Sequence, residues 1–324
     1  MTLVGTRGGP ATPRVTMLAG GIGASRLAVP LSAALGPDRL TLVVNTADDA
    51  WIHGLRVCPD LDTNLYALAG LRDARRGWGI EGDTFRAMDR LRELGGDPWF
   101  ALGDLDLATH LRRSDMLAGG ATLSEVTAEL SARLRVAARL LPMTDDEVAT
   151  LVHTDRGVLG FQEWFVRRRA EDDVRDVTWH GIEEARPAPG VLDAIDAADL
   201  VVIAPSSPVA SIEAILALPG VRGAVADRRC VAVTPVVTGV PITDEGEARR
   251  ARSRAALMRA RGRVHSATAV ASCYRDLVRY FVLDEHDSAE AGAIEALGIS
   301  VVVAPTLVTS AEAGSRLAAT IVGL

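Results

Sequence analysis

Short apolar runs alternate along the chain with longer amphipathic stretches. A run such as Leu40–Val44 is short and rich in β-branched residues, as a buried strand is, and the stretches between such runs carry helical caps and spacing. Because strands and helices alternate, the sequence predicts an α/β fold with a mostly parallel sheet and helices on both faces. The predicted strands are residues 15–18, 40–44, 148–152, 160–169, 199–203, 230–237 and 300–308, and the predicted helices are a helix ending at Gly36 and residues 62–71, 82–96, 122–134 and 245–262.

The middle of the chain, about residues 101–143, is almost wholly helical in pattern. We expect it to be a helical subdomain inserted in the sheet, so that residues 14–324 form a single α/β domain. Residues 1–13 are rich in Gly, Thr and Pro and lack an apolar core. They predict a disordered leader rather than a signal peptide.

Composition excludes several classes of function. The net charge is −7, which argues against a general nucleic-acid binder. All 35 basic residues are arginine, so no mechanism that needs a Schiff-base or Walker lysine is available. Cys58, Cys230 and Cys273 are far apart, which argues against a zinc site or disulfide framework and favours the cytoplasm. No apolar run reaches the roughly 20 residues of a membrane span, so no membrane association is expected.

A glycine turn, "LAGGIGASR", lies between the first strand and the first helix. Gly21 and Gly23 occupy the first two places of a G-x-G-x-x-G dinucleotide fingerprint, but Arg26 occupies the third. The turn is not a P-loop, because Gly-Lys-Ser/Thr is missing. It is either a tight turn without a ligand or a phosphate site at a helix N-terminus, where Arg26 would pair with phosphate oxygens.

A second turn, "APSSPVAS", joins the strand at 199–203 to a helix. Ser206 and Ser207 could donate hydrogen bonds to a nucleotide at the end of the sheet, or one of them could simply cap the helix.

Four aspartates follow the strand Leu40–Val44: Asp48, Asp49, Asp60 and Asp62. Carboxylates gathered at the carboxyl end of a strand repel each other unless a cation lies among them. Mg²⁺ is bound in this way, by one or two carboxylates together with substrate phosphates. The alternatives are that Asp62 caps a helix and that Asp48 contacts an NAD ribose.

Several motifs occur in an order that resembles the 2-phospho-L-lactate transferase family of coenzyme F420 biosynthesis. They are "GGIGASR", "NTADDAWIHGLRVCPDLDTNLYALAG", "RGWGIEGDTF", "LGDLDLATHLRRSDML", "FQEWFVR" and "APSSPVASI". The resemblance extends over residues 14–274, and the actinobacterial branch, which transfers phosphoenolpyruvate or phospholactate, is the most similar.

The resemblance implies a Rossmann-like fold, a homodimer and a requirement for Mg²⁺. It also implies that a phospholactyl or phosphoenolpyruvyl group moves from a guanosine diphospho-linked donor to the hydroxyl of Fo, the deazaflavin precursor, with release of GMP. The implied positions fall into four groups: Gly20, Gly21 and Gly23 at the donor diphosphate; Ser206, Ser207 and Ser211 at the guanosine; Asp48 and Asp62 at the metal, with Asp49, Asp62 and Arg26 in catalysis; and Trp51 and Thr84 at the deazaflavin.

Two other functions stay open: a nucleotide-sugar-binding regulator of similar fold without activity, and an NAD-dependent oxidoreductase. The retained aspartates favour the transferase over the first, and the broken fingerprint argues against the second. One departure from the family is "VPITDEGEARRARS", where a Lys-Gly-Pro-like stretch is common. We expect the arginine-rich run 249–263 to be a solvated helix face, His110 to be structural, and Trp164 and Phe165 to belong to the core.

Overall fold

The computed structural model describes residues 12–324, and the predicted leader 1–13 lies outside the described residues except for its last two. The strands are β1 (Val15–Ala19), β2 (Leu40–Val44), β3 (Ala50–Ile52), β4 (Leu55–Val57), β5 (Arg139–Pro142), β6 (Ala149–Thr154), β7 (Gly157–Gly160), β8 (Val174–His180), β9 (Leu200–Ile203), β10 (Cys230–Val233), β11 (Tyr280–Leu283) and β12 (Ser300–Val303). Seven of them form a parallel sheet in the order β12-β11-β10-β9-β1-β2-β5. The hairpin β3–β4 and the sheet β7-β6-β8 are antiparallel.

The α-helices are α1 (Ile22–Leu35), α2 (Pro59–Leu68), α3 (Arg86–Glu93), α4 (Asp106–Ala118), α5 (Leu123–Arg133), α6 (Val191–Asp196), α7 (Ala214–Ala217), α8 (Val221–Ala226), α9 (Glu245–Ala260), α10 (Ala267–Cys273), α11 (Ala291–Glu295) and α12 (Ala311–Val322). Glu163–Arg167 and Pro208–Glu213 form single turns of π-helix, and Glu285–Glu290 a 3₁₀ helix. Among these residues no helix is long and apolar enough to cross a membrane.

The central sheet is buried on both faces. Successive side chains of β1 point to opposite sides, so Leu18 packs in one hydrophobic layer, whereas Met17 and Ala19 pack in the other with α1 and α12. All five β1 residues are buried, as expected for a strand covered on both faces. The predicted α/β fold class, with a mostly parallel sheet, is therefore confirmed.

Strand order changes direction at β1. From β1 the chain adds β2 and then β5 on one side, and it adds β9 to β12 on the other. The loops after β1 and β9 therefore leave neighbouring strands toward opposite halves of the sheet. Such a switch point opens a crevice at the carboxyl ends of the strands, where α/β proteins bind ligands.

Three predicted elements differ from the structure. The stretch 101–143 contains α4 and α5, but its last residues form β5, which pairs with β2 in the central sheet. Residues 160–169 were expected to be a strand, but half of them form the π-helical turn Glu163–Arg167. Phe161 and Phe165 stack there at 5.5 Å. Residues four apart can meet in this way in a helix, whereas in a strand they would be about 13 Å apart. Helix α2 begins at Pro59 with Cys58 as its N-cap, so Asp62 does not cap it.

The start of helix α5 could be predicted from the sequence because its capping residues are close together in the chain. Thr122, the first residue of the helix predicted at 122–134, forms a capping box with Glu125. By contrast, the sequence pattern did not indicate the hairpin β3–β4 or strand β11. Both are short, three and four residues, and too brief for periodicity to reveal.

Candidate functional site

A cleft of about 680 Å³ opens at the switch point of the sheet. The first turn of α1, the loop after β9 and helix α2 line it, together with one face of α9. Of the predicted site residues, eight line the cleft: Gly21, Gly23, Arg26, Asp48, Asp62, Ser206, Ser207 and Ser211. Residues from four separate parts of the chain are thus brought together.

The glycines allow the two strand-end loops to pack against each other. A Cβ atom on Gly23 would lie 1.9 Å from the Pro205 carbonyl oxygen, and one on Gly20 would lie 2.5 Å from Ser211 Oγ. The Gly20 amide donates to Ser206 Oγ at 3.0 Å. The glycine turn therefore contacts the loop of residues 204–211, here called the serine loop, directly. The sequence did not indicate this role. The first turn of α1 remains open to the cleft, and its free N–H groups favour an anion.

Asp48 and Asp60 form an acidic pair at the cleft. The Asn45 side-chain amide donates to both carboxylates, at 3.0 Å to Asp48 and 3.1 Å to Asp60. Burial and then the charge of Asp60 raise the pKa of Asp48 well above its usual range, and burial raises the pKa of Asp60 to about 6. Asp48 Oδ1 is buried and has no hydrogen-bond partner among the described residues. The pair is therefore poorly stabilised as two anions, and a bound cation would relieve this.

Asp60 also explains why position 21 is a glycine. A Cβ atom there would lie 2.5 Å from Asp60 Oδ1. The Asn64 side chain, which donates to the carbonyl oxygens of Gly20 (2.7 Å) and Asp60 (2.8 Å), fixes α2 to the glycine turn. The acidic pair and the open end of α1 are thus held side by side.

Asp62 belongs to a different group. Its carboxylate is paired with Arg113 of α4, and the Arg113 Nη1 to Asp62 Oδ2 distance is 3.1 Å. Arg113 is 2% exposed, and although burial opposes its charge, the Asp62 carboxylate outweighs this and the pKa of Arg113 is raised. Since Arg113 already neutralises Asp62, the arrangement argues against the predicted role of Asp62 as a Mg²⁺ ligand.

His110 and Asp106 extend this buried network. Arg113 Nη1 lies 3.2 Å from His110 Nδ1, and His110 Nε2 lies 3.2 Å from Asp106 Oδ2. Because arginine only donates, His110 Nδ1 can contact it only as an acceptor. Tyr66 donates to the other Asp106 oxygen at 2.7 Å. His110 is therefore held in a buried network, but together with Asp106 it also lines the cleft, so its structural role stays a prediction.

Asp49 faces a smaller depression beside the cleft. Burial raises its pKa to about 7, although Arg56, 3.6 Å away, acts in the opposite direction. Neither carboxylate oxygen has a hydrogen-bond partner in the described part of the chain. Asp49 is therefore a buried group close to the acidic pair but separate from it.

The serine loop combines capping and lining. Ser207 is the N-cap of the turn Pro208–Glu213 and accepts from the Ala210 amide at 3.2 Å. It lines the cleft as well, together with Ser206 and Ser211. The structural and ligand-binding interpretations of this loop are compatible.

The chain is similar to known proteins in sequence and in fold. The family model described as "2-phospho-L-lactate transferase CofD" matches residues 15–306. The chain is 41% identical over 308 residues to the 2-phospho-L-lactate transferase of Methanosarcina acetivorans, which covers 95% of this chain and 98% of that protein. The chain belongs to the 2-phospho-L-lactate transferase family. The resemblance seen in the sequence is thereby confirmed, and with it a transferase activity in coenzyme F420 biosynthesis.

Other members of this transferase family carry a different substrate name. The chain is 42% identical over 320 residues to the phosphoenolpyruvate transferase of Kitasatospora aureofaciens, covering 96% of this chain and 97% of that one. A crystal structure of a upf0052 family protein from Bacillus halodurans has a TM-score of 0.62 at 18% identity, over 97% of this chain and 99% of that chain. The latter likeness shows the fold alone.

Three predicted substrate residues of the transferase, Gly20, Trp51 and Thr84, do not line its cleft. Trp51 is 57% exposed on β3. The Thr84 hydroxyl donates a hydrogen bond to the Asp104 carboxylate, which also accepts from the first two amides of α3. The cleft instead has an aromatic lining of six residues, although aromatic residues make up only 4% of the chain. They are Tyr66, Trp78, Trp99, Phe100, Phe161 and Phe165.

Two predictions were correct only in part: that Trp164 and Phe165 belong to the core, and that the arginine-rich run 249–263 is a solvated helix face. Trp164 is fully buried in the core, as expected, but Phe165 lines the cleft. Arg249, Arg250 and Arg254 also line the cleft, so the prediction of a solvated face is wrong for them. The sequence could not predict which face of α9 these arginines occupy, because charged residues are spread around the helix and no apolar stripe marks its buried face.

Proposed function

We propose that this member of the family transfers a phospholactyl or phosphoenolpyruvyl group from a guanosine diphospho-linked donor to the hydroxyl of Fo, with release of GMP. The observation that carries the proposal is the juxtaposition of the Asp48–Asp60 pair with the open first turn of α1. One side of the cleft calls for a cation, and the other side favours an anion. A diphosphate ester bound with a divalent metal ion supplies both.

The residues fit Mg²⁺. Among the described residues no group of three or more His, Cys, Asp or Glu side chains could hold a metal ion by itself. Mg²⁺ sites of nucleotide enzymes commonly use one or two carboxylates and take their remaining ligands from phosphates and water. We infer that Asp48 and Asp60 would hold it, with the unpaired Asp48 Oδ1 as a donor atom. When bound, Mg²⁺ would neutralise charge on the diphosphate.

The chain's own groups would position the two substrates. Amides at the first turn of α1 would bind the diphosphate. Arg26, one turn into that helix, is paired with Glu247 at 2.6 Å and would share its charge with the departing GMP. The serine loop would hold the guanosine. The six aromatic residues defined above would hold the flat deazaflavin of Fo, since aromatic faces stack well on planar rings.

The transfer itself balances as a substitution at phosphorus. The Fo hydroxyl oxygen would bond to the phosphorus that carries the three-carbon acid, and the bond from that phosphorus to the bridging oxygen would break. GMP would leave with that oxygen, and Fo would keep a phosphodiester. The hydroxyl proton would pass to a carboxylate of the aspartate cluster. Positioning and charge neutralisation suffice for such a step, so the lack of lysine is no obstacle.

Release of GMP tests the proposal. The purified chain would be incubated with Mg²⁺, Fo and each of the two guanosine donors, and GMP and the Fo phosphodiester would be quantified by chromatography. We expect equal amounts of both products. Removing one preorganised charged group commonly costs about a hundredfold or more in kcat, and we expect this for Asp48→Asn and Asp60→Asn.

Asp115→Asn is the matched control, because Asp115 is exposed on α4 and makes only a surface pair with Arg112. It should leave the rate unchanged. No GMP from either donor would refute the proposal. Binding of a nucleotide sugar without metal, in the absence of turnover, would instead favour a regulator of the same fold.

A further inference from the structure

Helix α9 presents a row of arginines to the cleft. Arg249, Arg250, Ser253 and Arg254 line it. At 3.6 residues per turn these four positions fall within an arc of about 140° on the helix. Arg252 lies outside this arc, is exposed and pairs with Glu245 at 2.9 Å. The arginines of α9 therefore divide into an inward set and an outward set.

One inward arginine is already neutralised. Glu247 pairs with Arg250 at 2.9 Å and with Arg26 of α1 at 2.6 Å. Burial opposes ionisation of Glu247, but the two arginines outweigh it and bring its pKa to about 2. This contact joins α9 to the first turns of α1. The Glu247 carboxylate is thereby occupied by direct contacts with Arg26 and Arg250.

Arg249 and Arg254 have no such partner. Within the described part of the chain, neither guanidinium lies within 4.0 Å of a carboxylate, and the Nε–H of each is buried without a hydrogen-bond partner. Burial lowers the pKa of both, to about 10 for Arg254. Arg249 lies over the Phe165 ring at 5.2 Å, so a cleft aromatic residue holds its side chain in place. A half-buried guanidinium without an anion is unfavourable, and a bound oxyanion would compensate it.

We propose that Arg249 and Arg254 form an oxyanion-binding subsite of the cleft, distinct from the first turn of α1. Arg254 lies one helical turn beyond Arg250, about 6 Å along α9, and so beyond the contact with Arg26. If the donor diphosphate lies at α1, as in the proposed function on which this assignment of the ligand rests, the second anion is the carboxylate of the three-carbon acid. The alternative source of the same chemistry is a phosphate of the donor itself.

Binding of small anions tests the subsite without turnover. Inorganic diphosphate, phosphoenolpyruvate and GDP would each be titrated by calorimetry into the wild type and the Arg249→Gln, Arg254→Gln and Arg252→Gln variants. A hydrogen bond to a charged group contributes roughly 1.5–3 kcal/mol, so we expect Kd to rise by about tenfold to a hundredfold for the first two variants. Arg252→Gln should bind as the wild type does.

The choice of anion identifies the occupant. A loss confined to phosphoenolpyruvate would indicate a carboxylate subsite, and a loss for inorganic diphosphate as well would indicate a phosphate subsite. Unchanged affinity for all three anions in both inward variants would overturn the proposal. An equal loss in Arg252→Gln would overturn it too, because the effect would then be one of overall charge.

Chemical denaturation separates binding from structure. Removing an unpaired, half-buried charge should leave the free energy of unfolding unchanged or raise it, whereas a structural arginine would lower it on removal. The anion-binding subsite and the transfer reaction can fail independently of each other. Lost anion binding in the variants, with no GMP formed by the wild type, would refute the transfer reaction and leave the subsite. Normal GMP release by the wild type, with unaltered anion affinity in the variants, would refute the subsite and leave the transfer reaction.

Discussion

Replacing Arg113 by methionine should destabilise the fold strongly. Arg113 is buried, and its guanidinium contacts the Asp62 carboxylate, His110 Nδ1 at 3.2 Å and the Arg56 carbonyl oxygen at 3.2 Å. Arg113→Met would leave Asp62, itself 5% exposed, as a buried charge without its cation. Removing one partner of a buried pair typically costs about 3–5 kcal/mol, a large part of the roughly 5–15 kcal/mol by which a domain is stable. Urea denaturation monitored by circular dichroism measures the loss.

The adjacent residue supplies the control. Arg112 is on the same helix but is half exposed and pairs at the surface with Glu129 at 2.8 Å, so Arg112→Met should cost no more than about 1 kcal/mol. Adding Asp62→Asn to Arg113→Met removes the stranded charge and should restore part of the stability. If Arg113→Met costs as little as the control, Asp62 is not a buried charge held by Arg113, and its predicted role as a metal ligand becomes viable again.

Three further outcomes follow from the site. Gly23→Ala should lower the melting temperature, because its Cβ would overlap the Pro205 carbonyl oxygen, whereas Gly223→Ala in α8, where a Cβ meets open space, should be neutral or stabilise by about 0.5–1 kcal/mol; equal melting temperatures would contradict the role given to the close approach of the two loops. For Asp49 the folded-state pKa of about 7 exceeds the ordinary 3.8, so the folded protein binds the proton more tightly and stability falls as the pH rises between these values. Asp49→Asn should flatten that fall in urea curves recorded from pH 4 to pH 8, and an unchanged slope would show that Asp49 does not cause it. Trp78→Leu should raise the KM for Fo in steady-state assays and Trp51→Leu should not, because only Trp78 lines the cleft; the opposite result would return Fo to the hairpin β3–β4.

Much of the candidate site was visible in the sequence because it consists of turns that follow strands. The end of β1 and the end of β9 are read from short apolar runs followed by Gly or Ser, and both loops do meet at the cleft. Asp48 and Asp60 were recognised as part of an acidic cluster. What the sequence could not show is that Asn45 joins these two and that Asp62 turns away to Arg113, which is 51 residues further along the chain.

The sequence by itself determined the α/β class, the position of the glycine turn, and the family, since these depend on local periodicity and on motifs of adjacent residues. Only the tertiary structure decided which charges are partnered and which are free. Asp62 and Arg113, Arg26 and Glu247, and Gly23 and Pro205 each meet across elements far apart in the chain. A local pattern tells which face of an element is apolar, but the neighbour that a polar side chain meets depends on strand order and helix packing. For that reason the inward arginines of α9 became visible only in the fold.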